Sequence, residues 1–449
     1  MPDSVPNAKA QANRPLTASS NTPLTAQKSG EVGMGPALNP NPSPNHSPAL
    51  NQDTSPASNK ELGSNLDPSQ ETHFALVSQL LDSFSCNVQA ELLALYGSYT
   101  AIFCTTADMS SSLISDAIQD KVEALRYQYQ QRHWEPQLES ILRTVEQVGA
   151  GIIPITSPDY PAQLRQIVSA PPILYIRGNR DCLQLPQIGI VGSRRMTQGG
   201  ERNALQWGQN LAEAGFTVTS GLALGVDGAA HCGALQATNG PGVGTTVAVM
   251  ATGIDRIYPF RHNKLADHIL QAGGALITEF APGGKPLPPC FPQRNRIISG
   301  LSLGILVVEA ALKSGSLITA RFAMEQDREV FAIPGSIHNP QSRGCHLLIK
   351  QGAKLVETTA DIVDELRGPL AGLSEGLPTQ KLPQSLPHPR VDVPIDADEA
   401  LLLEKMGYEP ADRDSLGQHF QAEKLAQLLI SLELKGVIAN DHGLFQRLA

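Results

Sequence analysis

The sequence predicts an α/β fold built on a doubly wound parallel sheet, flanked by a small all-α domain and a C-terminal winged-helix domain. Three observations carry this. Apolar strand-like runs alternate with helix-like stretches from about residue 170 to 366. Glycine-rich segments follow the strand-like runs, among them "GSRR" (192–195) and "SGLALGVD" (220–227). Residues 73–149 repeat their apolar positions at helical spacing and contain no strand alternation.

Taken in order, residues 1–70 are Pro, Ser, Asn, Thr and Ala with few large apolar side chains, as in "NPNPSPNHSPALNQDTSPASN". Such a segment buries too little surface to offset its ordering entropy, so a disordered tail is expected. Within 71–149, "HFALVSQLLDSF", "AELLALYGSYTAIF" and "LESILRTVEQVG" read as helices, with Gly97 and Gly149 as stops. The α/β domain is assigned to 150–367. Its strands are "QIGIVG", "FTVTSG", "TTVAVMA", "ALITEF", "GILVVEA" and "EVFAIPG". Its helices run through "ERNALQWGQNLAEAG" to Gly215, from Asp227, and through "NKLADHILQAG" and "SLITARFAMEQD". "RIISGLS" begins a further helix, which Asn295 would cap. Residues 368–395 read as a Pro-rich linker. Residues 396–449 give two or three helices and a hairpin turning at Asn440–Gly443, hence the winged-helix assignment.

Composition limits the function. The 449 residues carry a formal net charge of -9, which argues against a nucleic-acid coat over the whole surface. A local basic patch is still allowed, because salt confines surface fields to roughly 8–10 Å. Six cysteines without a CxxC or a close His partner suggest neither zinc nor a disulfide framework, which fits a reduced compartment. No run of eighteen apolar residues and no charged-then-apolar leader pattern occur, so a cytoplasmic protein is expected.

In parallel α/β sheets, ligands bind beyond the carboxyl ends of the strands, where helix N-termini present free amides. Here those ends are "GSRR", "SGLALGVD", "ATGID" (251–255), "EFAPGG" (279–284) and "VEAALKSGS" (308–316). Four of the five are glycine-rich and two are basic, which favours an anionic ligand. The nucleotide fingerprints fail: "GSRR" is not GxGxxG, Leu312 replaces the glycine before Lys313-Ser314, and "GPGVGTT" has no lysine. No cofactor or metal is expected.

Candidate catalytic groups are few. Asp227 and His231, at i and i+4, could form an acid/base couple, but an Asp at a helix start is more simply an N-cap. Glu279 and Glu309 end strands and could serve hydrolysis, or equally neutralise an arginine or a backbone amide. The cations form a richer set. Arg194, Arg195, Arg261, Lys264, Arg294, Arg296 and Lys313 all fall on expected loops or helix starts at the sheet edge. With Phe291 beside them, they suit a groove that tracks a phosphate backbone.

"GIVGSRRMTQGG", "TSGLALGVDGAAHCGAL", "TVAVMATGIDRIYPFRHNKL", "GALITEFAPGGKP", "FPQRNRIISGLSLGILVVEAALKSGSLITARFA" and "VFAIPGS" occur in this order. Together they resemble the DNA-processing protein A family (DprA/Smf) over roughly 150–366. The helical segment before and the winged-helix segment after also resemble that family's flanks, the former as a SAM/helix-hairpin-like unit. The resemblance implies a Rossmann-like domain that binds single-stranded DNA without sequence readout, forms a homodimer and loads the RecA recombinase in natural transformation and recombination. It places strand binding on Arg194, on Arg261 after "YP", on Phe291, Arg294, Asn295 and Arg296, and on Ser314, Gly315 and Ser316. Ser193 and Gly221, in the same loops, complete the candidate set with Arg195, Lys264 and Lys313. His346 stands where the family pattern has asparagine.

Two readings of other classes compete with DNA binding. One is a nucleoside-phosphate hydrolase of the lysine-decarboxylase-like type, which would need "PGGxGTxxE"; here "PGG" runs into "KPLPP". The other is a scaffold that recruits partners through its winged helix. In "AEKLAQLLISLELKG" (422–436) there is no arginine, and only Gln427 is a mid-helix base-reading side chain, so protein contacts or weak support of DNA binding are expected.

Overall fold

Strand β3 (Gln187–Val191) is buried along its whole length, with Ile188 and Ile190 turned to one helix layer and Val191 to the other. This two-residue period makes the apolar run a central strand covered on both faces. The computed structural model describes residues 67–81, 85–105, 116–238, 245–367, 395–407, 411–418, 420–435, 437–441 and 443–447. The expected N-terminal tail up to residue 66, most of the expected linker and "GPGV" (240–243) lie outside the described residues.

Among the described residues, nine strands form the main sheet in the order β1-β2-β6-β5-β4-β3-β7-β8-β9. Here β1 is Ala150–Pro154, β2 Ile173–Gly178, β4 Thr217–Ser220, β5 Thr246–Val249 and β6 Ala275–Thr278. On the far side, β7 is Gly304–Val307, β8 Glu329–Ala332 and β9 Lys354–Leu355. From β6 to β9 every pairing is parallel. The doubly wound expectation needs one correction: β1 and β2 join the β6 edge antiparallel, so the sheet is mixed. Pro154 and Gly151 interrupt the apolar run of β1, which hides it as a strand.

One layer contains α6 (Ala162–Arg165), α10 (Cys290–Leu301), α11 (Ser316–Glu325) and α12 (Arg343–Lys350), through residues such as Leu164, Ile298, Ala320 and Leu348. The other contains α7 (Gln198–Glu213), α8 (Val226–Leu235) and α13 (Thr359–Glu365), through Trp207, Ala230 and Ile362. On that same side α9 (Asn263–Gln271) packs Leu265 and Ile269 against Ala248 and Leu276. Each fully buried Leu, Ile or Val contributes about 1.5–3 kcal/mol through removal from water.

Ahead of the sheet come α1 (Pro68–Leu80), α2 (Cys86–Tyr96), α3 (Tyr99–Cys104), α4 (Asp116–Gln130) and α5 (Glu135–Gln147). Gly97 and Gly149 follow α2 and α5 with φ of 77° and 63°, the left-handed conformation that ends helices. Phe74, Leu76 and Leu138 share one core with Tyr175, Ala248 and Leu276, so the helical segment is packed onto the sheet. The buried Glu71 carboxylate accepts from Tyr99 N at 2.7 Å and Thr100 N at 3.0 Å, satisfying the start of α3.

The C-terminal residues run helix Ala397–Met406, strand Ala411–Asp412, helices Arg413–Gly417 and Ala422–Leu434, then antiparallel strands Ile438–Asp441 and Leu444–Arg447. Their own core includes Leu402, Leu425, Leu429, Leu432 and Phe445. Among the described residues, no helix is long and apolar enough to cross a membrane.

Two helix starts differ from expectation. Helix α10 begins at Cys290, six residues before "RIISGLS", because Pro292 falls in its first turn, where a missing N–H costs nothing. Asn295 is therefore inside the helix and does not cap it. Helix α8 begins at Val226 with Gly225 as its N-cap, so Asp227 is not the cap either.

Candidate nucleic-acid interface

The central β3 lies between β4 and β7: the chain runs outward from β3 through β4 and β5 to β6, then crosses back to place β7 on the other side of β3. Where strand order reverses in this way, the loops at the carboxyl ends diverge and leave a crevice. Here the crevice is a cleft of about 700 Å³, walled by the loops after β3, β4 and β7 and by α10.

Helix α10 lends Phe291, Arg294, Asn295 and Ile298, an i, i+3, i+4, i+7 face. The loop after β3 supplies Ser193, Arg194 and Arg195 and is held on three sides. Ser193 N donates to Glu309 O at 2.8 Å, Val226 N donates to Ser193 O at 3.2 Å, and Arg195 N donates to Ser193 Oγ at 3.0 Å. Gly225 closes the same corner: its φ is 84°, and a Cβ there would lie 2.2 Å from Ser193 O. On the β7 side, Lys313, Ser314, Gly315 and Ser316 lead into α11, whose N-terminal end opens on the cleft. Ser314 Oγ lies 2.6 Å from Ser316 Oγ and accepts from Ser316 N. A helix N-terminus with adjacent hydroxyls suits an anion.

Arg194, Arg195 and Lys313 are exposed, and among the described residues none of them joins an ion pair. The Arg194 guanidinium carbon sits 5.0 Å from the centroid of the Phe291 ring, which in turn meets Tyr258 at 5.7 Å.

Arg294 forms the floor. Its Nη1 donates to Val249 O at 2.9 Å, and its Nε has no hydrogen-bond partner among the described residues. Burial pulls the guanidinium down to about 10, against the attraction of Asp227. Asp227 Oδ2 accepts from Gly221 N at 3.1 Å. Burial pushes the Asp227 carboxyl up, while Arg294 pulls it down. Gly221 makes room for this pair: a Cβ there would lie 1.6 Å from Arg294 Nη1.

The remaining candidates stand apart. Arg296, two positions on and so turned away on the helix, donates through Nη2 to Glu279 Oε2 at 2.5 Å; both side chains are 8% exposed. Its charge is paired with Glu279, and it does not line the cleft. Arg261 and Lys264 are exposed on the 3-10 turn Phe260–His262 and the first turn of α9, beyond the cleft lining. The candidate catalytic carboxylates are occupied. Glu309 accepts from Thr197 N at 2.9 Å and Thr197 Oγ1 at 2.6 Å, and Glu279 holds Arg296. Asp227 and His231 do not form a couple. His231 Nδ1 lies 2.8 Å from Thr246 Oγ1, and burial drives its imidazole down to about 3. Thr246 gives its own proton to Val218 O, so His231 is the donor. His346 Nε2 donates to Gly335 O at 2.9 Å, tying the segment after β8 to α12.

The cleft also includes Asp227, which ends the "SGLALGVD" loop, and Thr319 and Gln341, which the sequence reading did not place there. Thr319, three residues after Ser316 on the same helix, carried the one usable signal. Among the described residues, no three His, Cys, Asp or Glu side chains cluster as a metal site.

Comparison with known proteins identifies the family. Residues 151–367 match the family model for DNA recombination-mediator protein A. Protein Smf of Escherichia coli (strain K12) is 42% identical over 317 residues, 69% of this chain and 81% of that one. DNA processing protein DprA of Bacillus subtilis (strain 168) is 40% identical over 265 residues, 58% of this chain and 87% of its own. The X-ray structure of DNA processing protein A from Streptococcus pneumoniae superposes with a TM-score of 0.54 at 35% identity, covering 65% of this chain and 97% of that one. With 42% identity across 81% of the Escherichia coli protein, the chain belongs to the DNA-processing protein A (DprA/Smf) family.

Proposed function

We propose that the chain binds single-stranded DNA without sequence readout and hands it to the RecA recombinase during DNA uptake and recombination, as a cytoplasmic homodimer. The observation that carries the binding is the cleft itself: three exposed cations with no ion pair among the described residues, a helix N-terminus and one partly exposed aromatic ring, all at a strand-order reversal. Cations and amides suit phosphates of any sequence, and a ring face suits any base. Arg194, Arg195, Phe291, Asn295, Lys313 and Ser314–Ser316 are the contact set, while Arg294 and Gly221 shape the floor. The names of the relatives, DNA processing protein and recombination mediator, support a role in DNA transactions.

We read the cleft as a binding site and not a hydrolase. Glu279 and Glu309, the strand-end carboxylates a nucleoside-phosphate hydrolase would use, are held by Arg296 and Thr197.

The flanking segments are assigned as a SAM/helix-hairpin-like unit at 71–149 and a winged-helix unit at 396–449. The helix–strand–helix–helix–hairpin order of the latter supports this. Its third helix is a poor major-groove reader, since Lys424 pairs with Asp398 at 2.7 Å and Lys435 with Glu399 at 2.6 Å. Protein contact is the reading these pairs support.

The test is an oligonucleotide titration across salt. Affinity should fall with a log–log slope of about -0.7 per phosphate neutralised, equally for unrelated sequences. A salt-independent or strongly sequence-dependent affinity would overturn the reading. Adding RecA should shorten the lag of its filament assembly on coated strands.

A further inference from the structure

Between β5 and α9 the chain presents "IYPFRHN" (257–263) on the surface beside the cleft. Phe260 is 81% exposed and Tyr258 46% exposed, although both are large apolar rings. Exposed aromatics placed together mark a contact surface. This pair is continuous with the cleft through the ring contact of Tyr258 with Phe291, 5.7 Å between centroids, and Phe291 itself lies under Arg194.

The segment is held in place rather than draped over the surface. His262 Nδ1 donates to Leu222 O at 2.9 Å, joining the 3-10 turn to the loop after β4. The turn is closed by His262 N donating to Pro259 O at 2.9 Å, and Thr252 Oγ1 donates to Arg256 O at 2.6 Å before it. Asp255, the nearest carboxylate along the chain, accepts from Gly283 N at 2.8 Å. Arg261 and Lys264 are exposed in the same short segment. Exposed rings and cations on a backbone held in place suit a flexible polyanion that carries flat apolar groups, with little ordering cost on the protein's main chain.

We propose that Tyr258 and Phe260 form a stacking platform for unpaired nucleobases, extending the single-strand track out of the cleft, with Arg261 and Lys264 on the phosphates. The proposal rests on the single-strand reading of the cleft and adds a second segment to it. It gives Arg261 and Lys264 a place on the strand, which the cleft alone does not.

The test uses the full-length protein, a thymine oligonucleotide of about 20 residues, and an abasic strand of equal length and charge. Stacking on an aromatic residue is worth about 1–3 kcal/mol per base, so Phe260→Ala should weaken binding to the thymine strand roughly fivefold or more. Its affinity for the abasic strand should match that of the wild type, because no base is there to stack. Tyr258→Leu should act in the same direction. An unchanged affinity for the thymine strand, or an equal loss on both strands, would overturn the platform. So would a loss of self-association at unchanged DNA affinity, which would assign the rings to a second copy of the chain. Failure of the underlying reading looks different: the wild type would then bind neither strand.

Discussion

Arg194 lays its guanidinium over the face of Phe291, 5.0 Å from the ring centroid, at the mouth of the cleft. The contact orients a cation without neutralising it, since a ring quadrupole attracts charge but leaves the N–H groups available. A carboxylate partner would have consumed them. The pair therefore offers a phosphate donor and a stacking ring from adjacent positions.

Replacing Arg194 with alanine should weaken single-strand binding and lower the salt slope by about 0.7, one phosphate's share. Arg194→Lys keeps the charge but not the planar fork, so its affinity should fall between the two. Fluorescence anisotropy over a salt series measures both. Equal affinities for all three proteins would remove Arg194 from the interface.

Arg296 and Glu279 lead to the opposite expectation. Their side chains are each 8% exposed, and removing one partner leaves the other buried and uncompensated. Either Arg296→Met or Glu279→Leu should cost about 3–5 kcal/mol of stability, and the double variant should recover most of it. Urea unfolding gives the stabilities. The folded double variant should bind single strands as the wild type does, which separates this arginine from Arg194.

These two arginine positions show what the sequence made legible. The central strands were readable because Val, Ile and Leu fill both faces, as in "QIGIVG" and "GILVV". The loops that form the cleft followed from those strands and their glycines. Inside "FPQRNR" the reading ran out. A helix starting at "RIISGLS" was expected, yet α10 begins six residues earlier with Pro292 in its first turn, and helical geometry then points residues 294 and 296 in different directions. Only the partner supplied by β6, Glu279, decides that Arg296 is internal. That contact spans 17 positions of sequence and leaves no local signal.

Gly221 is a sensitive position in the cleft floor. A Cβ there would overlap Arg294 Nη1, and Arg294, 3% exposed, can give way only toward the cleft it lines. Gly221→Ala should destabilise the fold by about 1–3 kcal/mol through overpacking. It should also lower single-strand affinity, because Arg294 must shift toward Arg194 and the cleft. A variant that lost stability but kept full affinity would show that the floor is only structural.

In the C-terminal segment, one carboxylate sets a pH dependence. Glu399 is held down to about 2 by hydrogen bonds from Lys435 and Ser431 and by the amide of Asp396. A carboxyl whose folded value lies below its ordinary 4.5 stabilises the fold above that value. The contribution is lost as pH falls from 4.5 toward 2, when the folded form must take up the proton. The protection factors of residues 422–434 in the full-length chain, corrected for the intrinsic pH dependence of amide exchange, should therefore fall across this window. Glu399→Gln should exchange faster already at neutral pH, and should show little of the acid-dependent step. If the variant kept the same step as the wild type, another group would have to carry it.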